Sequence, residues 1–380
     1  MQLLGSEGKK PRVLVIKHGL SRYHFPRLQG TEGLEITYCI RHLPTEAAQQ
    51  LRAEKLDFER LKLGWLAWRI LRRDYDLVAV NTGACLEYKV AMLACLLAGV
   101  PFAVKTDDWN GLPVRGTGFK KRLTEAFANW LSGAASFYFV PVSKAAEWLS
   151  EKGVAKERII RYYEKSAFLA SLPTARLTPE EARQAMGGKK TLFLFVGRLL
   201  KERKGCGVLL KAFERLQRED PTVGLALLGY GPYQKEMEDY CRTQGVTGVR
   251  FLPFVEHHDN ALNAYYAACD VFVFPARREP TGFALVEAVA CGKPVITTAD
   301  VGAAYDYVRN GVNGFVVAPG DEEGLYYALK TLASSDKLRR QMGEQSRKII
   351  KGLEAAWPSY EEALARASGN GPARGQAGRP

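Results

Sequence analysis

The chain has no C-x-x-C spacing among its seven cysteines, no apolar stretch long enough to cross a bilayer, and five histidines in 380 residues. Each shortage removes a class of protein. Seven scattered cysteines, an odd number, argue against a disulfide framework and against a zinc site, and point to reduced thiols in a cytosolic setting. The longest apolar run, Val90 to Val104, is broken by Gly99 and Pro101 and closed by Lys105. It falls short of the roughly 20 residues of a membrane helix, so no transmembrane helix is expected. The first ten residues, MQLLGSEGKK, lack the apolar stretch of a signal peptide, and a cytoplasmic location is expected.

What is present is an ordinary soluble composition, 47% hydrophobic and 25% charged, on a chain whose length favours two domains of roughly 150 to 200 residues. The net charge of +13 is unevenly spread: residues 1–180 hold 27 basic against 18 acidic groups, the rest 27 against 23. A basic amino-terminal half favours anionic partners such as lipid headgroups, nucleic acid or phosphorylated substrates; a solvated surface is the plain alternative.

Short apolar runs alternate with helix-length amphipathic stretches, the pattern of α/β units around parallel sheets. Strands are expected at Val13–Ile16, Leu77–Val80, Phe102–Val104 and Phe137–Val140 in the first half. In the second half they are expected at Leu192–Val196, Gly224–Leu228, Val271–Phe274 and Pro294–Thr297. Thr178, Pro179 and Glu181 form a capping box inside a segment read as a linker. The expected organisation is a Rossmann-like domain over 1–170, a linker over 171–190 and a second Rossmann-like domain over 191–345. Terminal helices over 346–367 should pack back toward the first domain, and a disordered Gly/Ala/Arg/Pro tail should run from 368 to 380. Two such α/β domains facing across a cleft would bind ligands beyond the carboxyl ends of their strands.

Three stretches of the second half lie there. LFLFVGRLLKERKGCGVLLKAF runs from a strand through Gly197 and Arg198 to Lys204 and then into a helix, where two cations meet a helix amino terminus suited to an anion. Cations in a loop are also commonly just solvated. LLGYGPY offers Gly229 and Gly231, for close backbone approach of a ligand or for a tight turn. REPTGFALVEA reads as a helix capped by Thr281 and stopped by Gly292 and Pro294, with Glu287 inside it and no charged neighbour from Pro280 to Gly292. A buried ionised carboxylate needs water or a hydrogen-bonding partner.

The ordered set G-R-x(5)-K-G, G-x-G-P, E-x(2)-G-x(4)-E-A, G-x-P-V and N-G-x-N-G-F-x-V, spread from Leu192 to about Ala333, resembles the carboxyl-terminal domain of retaining GT-B glycosyltransferases, glycosyltransferase family four in particular. The resemblance implies the GT-B fold and transfer of a sugar, with retention and without metal or other cofactor, from a nucleotide diphosphate sugar to a glycan or lipid-linked acceptor. Glu279 would contact the donor sugar and Glu287 the ribose; the alternative partner for Glu287 is an Arg or Lys elsewhere in the chain. Arg198 and Lys204 would clamp the diphosphate, with Gly197, Gly229 and the amides of Gly282, Phe283 and Ala284 around the donor, and Phe254 and Val255 against the base.

The amino-terminal half departs from that family. Where the family has a glycine-rich loop, the chain has KHGLSRYHFP, with Gly19 alone, and Thr106, Asp107 and Asp108 stand in place of a frequent histidine. His18, Gly19 and Asp107, at strand ends, are the acceptor-side candidates; polar loop residues are the alternative reading. Asp74-Tyr75-Asp76 spells a D-x-D metal motif but precedes its strand, and His257-His258 reads as solvated, so no metal site is expected. In GFKKRLTEAFANWL, Phe119, Leu123, Phe127 and Trp130 share a helical face. Packing of that face on the sheet is the simpler reading; an anionic membrane surface, and so a peripheral place on the inner membrane face, is the other. A GT-B phosphorylase or epimerase, or a non-catalytic binder of anionic polymers, are the rival functions; specific nucleic-acid recognition is not expected.

Overall fold

The structure, a computed structural model, describes residues 10–19, 33–42, 58–82, 85–107, 109, 119–163, 177–253 and 261–369. Two compact units divide the chain. The first joins Met1–Lys165 with Trp357–Pro380, and the second is Ser166–Ala356.

In the first unit the elements run β1 (Arg12–Gly19), β2 (Glu35–His42), β3 (Phe58–Arg60), α1 (Leu63–Leu71), β4 (Leu77–Asn81), α2 (Leu86–Ala98), β5 (Phe102–Lys105), α3 (Phe119–Gly133), β6 (Phe137–Val140), α4 (Ser143–Glu151) and β7 (Ile159–Arg161). The seven strands are parallel in the order β3-β2-β1-β4-β5-β6-β7. The second unit has α5 (Pro179–Ala185), β8 (Thr191–Val196), α6 (Cys206–Glu219), β9 (Val223–Leu228), α7 (Gln234–Gln244), β10 (Val249–Leu252), α8 (Ala261–Ala268) and β11 (Val271–Phe274). It continues through α9 (Phe283–Ala290), β12 (Val295–Thr298), α10 (Gly302–Tyr307), β13 (Gly314–Val317), α11 (Glu322–Ser334) and α12 (Asp336–Ala356). Its six parallel strands are ordered β10-β9-β8-β11-β12-β13. Both sheets therefore wind outward in two directions from a central pair, β1/β4 in one and β8/β11 in the other, the Rossmann arrangement.

β8, β9, β11 and β12 are buried at every position, as strands covered on both faces must be. α6 turns Leu209, Phe213 and Leu216 inward at helical spacing. The capping box forms: the Thr178 hydroxyl accepts from the Glu181 amide at 3.2 Å, and the Glu181 carboxylate accepts from the Thr178 amide at 2.8 Å. The helix that box opens, α5, lies inside the segment read as a linker and packs on α8 within the second unit. α12 stays with the second unit, whereas the last helix, α13 (Tyr360–Gly369), belongs to the first. Its Ala363, Leu364 and Ala367 complete a core with Val13, Val15 and Phe139. The tail expected from Ser368 lies outside the described residues after Gly369.

One sequence expectation needs correction. α3 packs through Ala128 and Leu131, while Phe127 and Trp130 are exposed, so these two aromatic side chains do not rest on the sheet. The D-x-D carboxylates sit before β4 and are used locally: Asp74 pairs with Arg69 and Arg72, and Asp76 accepts from the Arg12 amide at 2.9 Å. All seven cysteines are free thiols. Among the described residues no helix is long and apolar enough to cross a membrane.

Candidate functional site

In doubly wound sheets the loops at the carboxyl ends of the central strand pair splay apart and leave room for a ligand. In the second unit those are the loops after β8 and β11, and they carry the sequence candidates. After β8 the chain turns through Gly197, exposes Arg198, buries Leu199 and reaches α6 through Gly205. Gly205 is left-handed (φ 69°), and a Cβ there would stand 2.0 Å from the Pro275 carbonyl oxygen. Only glycine lets the two loops meet so closely. The Arg277 amide, donating to the Arg203 carbonyl at 3.0 Å, joins them a second time.

The joining of the loops brings Lys204 onto Glu279, 75 residues later: the ammonium donates to the Glu279 carboxylate, and both side chains are largely buried. The Lys204 ammonium also lies 4.9 Å from the centre of the Phe274 ring. A third loop holds Glu279 from the other side. Its amide donates to the Asp300 carbonyl at 3.1 Å, and its carbonyl accepts from the Gly302 amide at 2.9 Å. Arg198 is exposed and forms no ion pair with any described residue.

The cap of α9 is not Thr281, as the sequence suggested, but Gly282, left-handed at φ 84°; Thr281 is buried. Val301 presses on the place where a side chain at Gly282 would be, which excludes larger residues. The amides of Gly282, Phe283 and Ala284 have no acceptor among the described residues, as expected of a first helical turn. They open beside Glu279 with the positive end of the helix dipole behind them. The glycines of LLGYGPY serve the protein's own backbone. A Cβ at Gly229 would lie 2.0 Å from the Gly197 carbonyl oxygen, and one at Gly231 would lie 2.2 Å from that of Leu199.

Glu287 is 3% exposed, and among the described residues no Arg or Lys is its partner. Burial pushes its carboxyl up to about 8 from the usual 4.5. The partner is Tyr266 of α8, a residue the sequence reading missed; its hydroxyl lies 2.8 Å from Glu287 Oε2 and 3.1 Å from the Ala284 carbonyl. A tyrosine has one hydrogen to donate and two acceptors compete for it. A protonated Glu287 resolves the competition by donating to the tyrosine oxygen, which leaves the tyrosine hydrogen for Ala284. Glu287 Oε1 is buried with no hydrogen-bond partner among the described residues. The sequence ALNAYYAA, which also holds Asn263 and Tyr265, carries no signal that singles Tyr266 out.

Of the remaining candidates, Phe254, Val255, His257 and His258 lie outside the described residues. His18 and Gly19 end β1, at the central pair of the first sheet, and Asp107 follows β5, separated from β1 by β4 alone. The sheet thus sets all three at its carboxyl edge.

The two Rossmann-like units define the GT-B class of fold. Anabaena HepE, solved in complex with UDP, has that fold with a TM-score of 0.73 at 20% identity, covering 93% of this chain and 99% of its own. The lipopolysaccharide outer core galactosyltransferase WaaB, at TM-score 0.61 and 17% identity, covers 94% and 98%. Residues 179–349, which hold the loops just described, match the family Glycosyl transferases group 1. The lipopolysaccharide core biosynthesis glycosyltransferase LpsE of Rhizobium meliloti is 31% identical over 226 residues, 58% of this chain and 61% of LpsE. The capsular polysaccharide glycosyltransferase CapM of Staphylococcus aureus is 31% identical over 171 residues, 44% of this chain and 43% of CapM. The chain thus spans less than two thirds of the length of these relatives.

Proposed function

We propose that the chain transfers a sugar from a nucleotide diphosphate sugar to a glycan or lipid-linked acceptor, with retention of configuration and with no metal or other cofactor. The observation that supports this most is the Lys204–Glu279 pair, set beside the acceptor-free amides of Gly282, Phe283 and Ala284 at the centre of the second sheet.

As the bond between the sugar C1 and the diphosphate breaks, negative charge gathers on the departing phosphate oxygen. Lys204 and the α9 amides are held where that charge develops, Arg198 joins them from the loop after β8, and preorganised donors act most strongly in the transition state. Glu279 holds sugar hydroxyls and keeps Lys204 in place. Glu287 takes the ribose, Gly197 and Gly229 shape the loop floor, and Phe254 and Val255 meet the base. His18, Gly19 and Asp107 serve the acceptor. The acceptor hydroxyl attacks C1 on the face the diphosphate leaves and gives its proton to the leaving oxygen, so no protein base is required. HepE has been solved with UDP and with UDP-glucose, which makes uridine diphosphate hexoses the first donors to test. LpsE and CapM act in lipopolysaccharide core and capsule synthesis, which directs the acceptor search to envelope precursors at the cytoplasmic face.

The test is a thermal-shift panel of nucleotide sugars followed by product analysis with the best donor. A donor at 100 times its dissociation constant should stabilise the protein by about 2.7 kcal/mol. No shift with any nucleotide sugar, or full turnover by Glu279→Gln, would end the proposal. A product of inverted anomeric configuration would keep the transferase and remove the same-face mechanism.

A further inference from the structure

The first unit carries a surface that the transfer reaction does not use. α2 packs between α1 and α3, so the outward faces of three neighbouring helices adjoin. α1 buries Leu66 and Ile70 and turns Trp68 and Leu71 outward, with Trp68 52% exposed. α2 is apolar beyond its first turn, which holds Glu87, Tyr88 and Lys89. It buries Ala91, Met92 and Cys95, yet Leu86, Leu93 and Leu97, on one helical stripe, also face solvent, with Leu97 73% exposed. α3 adds Phe127 and Trp130, whose rings stack at 5.9 Å while Trp130 remains 54% exposed. Leucines at the centre with tryptophans on both flanking helices form a contiguous apolar surface of a kind that soluble monomers seldom leave bare.

The charge around it selects the occupant. Residues 62–74, 86–98 and 119–133 hold eight basic and three acidic groups, and Asp74 among them pairs with Arg69 and Arg72. One of the acids, Glu87, is buried and paired with Arg41. The Arg72 guanidinium lies 4.5 Å from the centre of the Trp68 ring, at the border of the apolar surface. Lys120, Lys121 and Arg122 fall in the first turn of α3. Leucines to enter the acyl boundary, tryptophans at headgroup level and a cationic rim are the features of an interfacial membrane surface. A partner protein of ordinary composition gives no reason for so one-sided a rim.

We infer that the α1–α2–α3 face of the first unit docks on an anionic lipid bilayer. The inference stands apart from the sugar-transfer reading and is tested without a donor. Full-length protein is sedimented with vesicles of equal parts phosphatidylglycerol and phosphatidylcholine, and with phosphatidylcholine alone, at low and high salt. Binding is expected to the anionic vesicles, weakened by salt. Leu93→Glu/Leu97→Glu should lower it by roughly tenfold or more, and Arg72→Glu/Arg73→Glu should lower it similarly at low salt and have little effect at high salt. Quenching by lipids spin-labelled near the headgroup should reach the tryptophans and be cut by Trp68→Phe or Trp130→Phe, variants that keep an aromatic ring and guard against misfolding. Equal sedimentation of wild type and Leu93→Glu/Leu97→Glu would overturn the inference. So would a wild type that ignores the anionic vesicles, including one that forms a dimer which those substitutions dissolve.

Discussion

Glu287→Gln preserves the shape of a buried side chain and removes its ionisable proton. In the wild type the folded carboxyl holds its proton up to about 8, against the usual 4.5. Between those values the folded state binds more protons than the unfolded state, so stability falls as pH rises through the window and levels off above about 8. Linkage puts the wild-type loss between about pH 6 and about pH 9 at roughly 2 to 3 kcal/mol. The glutamine has no such loss. Groups common to both proteins cancel in the difference, so the stability of the variant relative to wild type should rise by that amount across the range. Urea unfolding followed by far-UV circular dichroism measures it. A constant difference between variant and wild type from pH 6 to pH 9 would refute the account of Glu287 as a desolvated, proton-holding carboxyl.

Lys204→Ala and Glu279→Gln should each reduce turnover with the best donor by roughly a hundredfold or more. In unfolding experiments, Lys204→Ala/Glu279→Ala should be less destabilised than Lys204→Ala alone, because a lone buried charge is costlier than none. Gly205→Ala should lose considerably more stability than Gly245→Ala. Both glycines are left-handed at φ 69°, a conformation that costs alanine about 1 kcal/mol or somewhat more, but Gly245 faces open space and Gly205 the Pro275 carbonyl. Tyr266→Phe should cost about 1 to 3 kcal/mol in urea unfolding, since it deprives the Ala284 carbonyl of its donor and the Glu287 proton of its acceptor.

The eight strands anticipated from apolar runs all form, each within two residues at its start and three at its end. The five that escaped notice include both edges of both sheets, β3, β7, β10 and β13, together with β2 beside an edge. An edge strand is partly solvated, so it lacks the continuous apolar run that marks a central one. β10 and β13 are each buried at only some positions. The site divides in the same way. Glycines before helices and cations after a strand are local patterns and were legible; Tyr266 was not, since nothing near it in the chain indicates that it meets Glu287 from another helix.

By itself the sequence determined the α/β class, the central strands, the capping box and the residues of the second unit that carry the family resemblance, because each of these depends on neighbours within a few positions. Only the tertiary structure decided which loops touch, that Lys204 meets Glu279, that Glu287 is held by a tyrosine, and that Phe127 and Trp130 of α3 face solvent. Those outcomes depend on strand order and on contacts between residues far apart in the chain, where periodicity carries no information and close packing makes the choice.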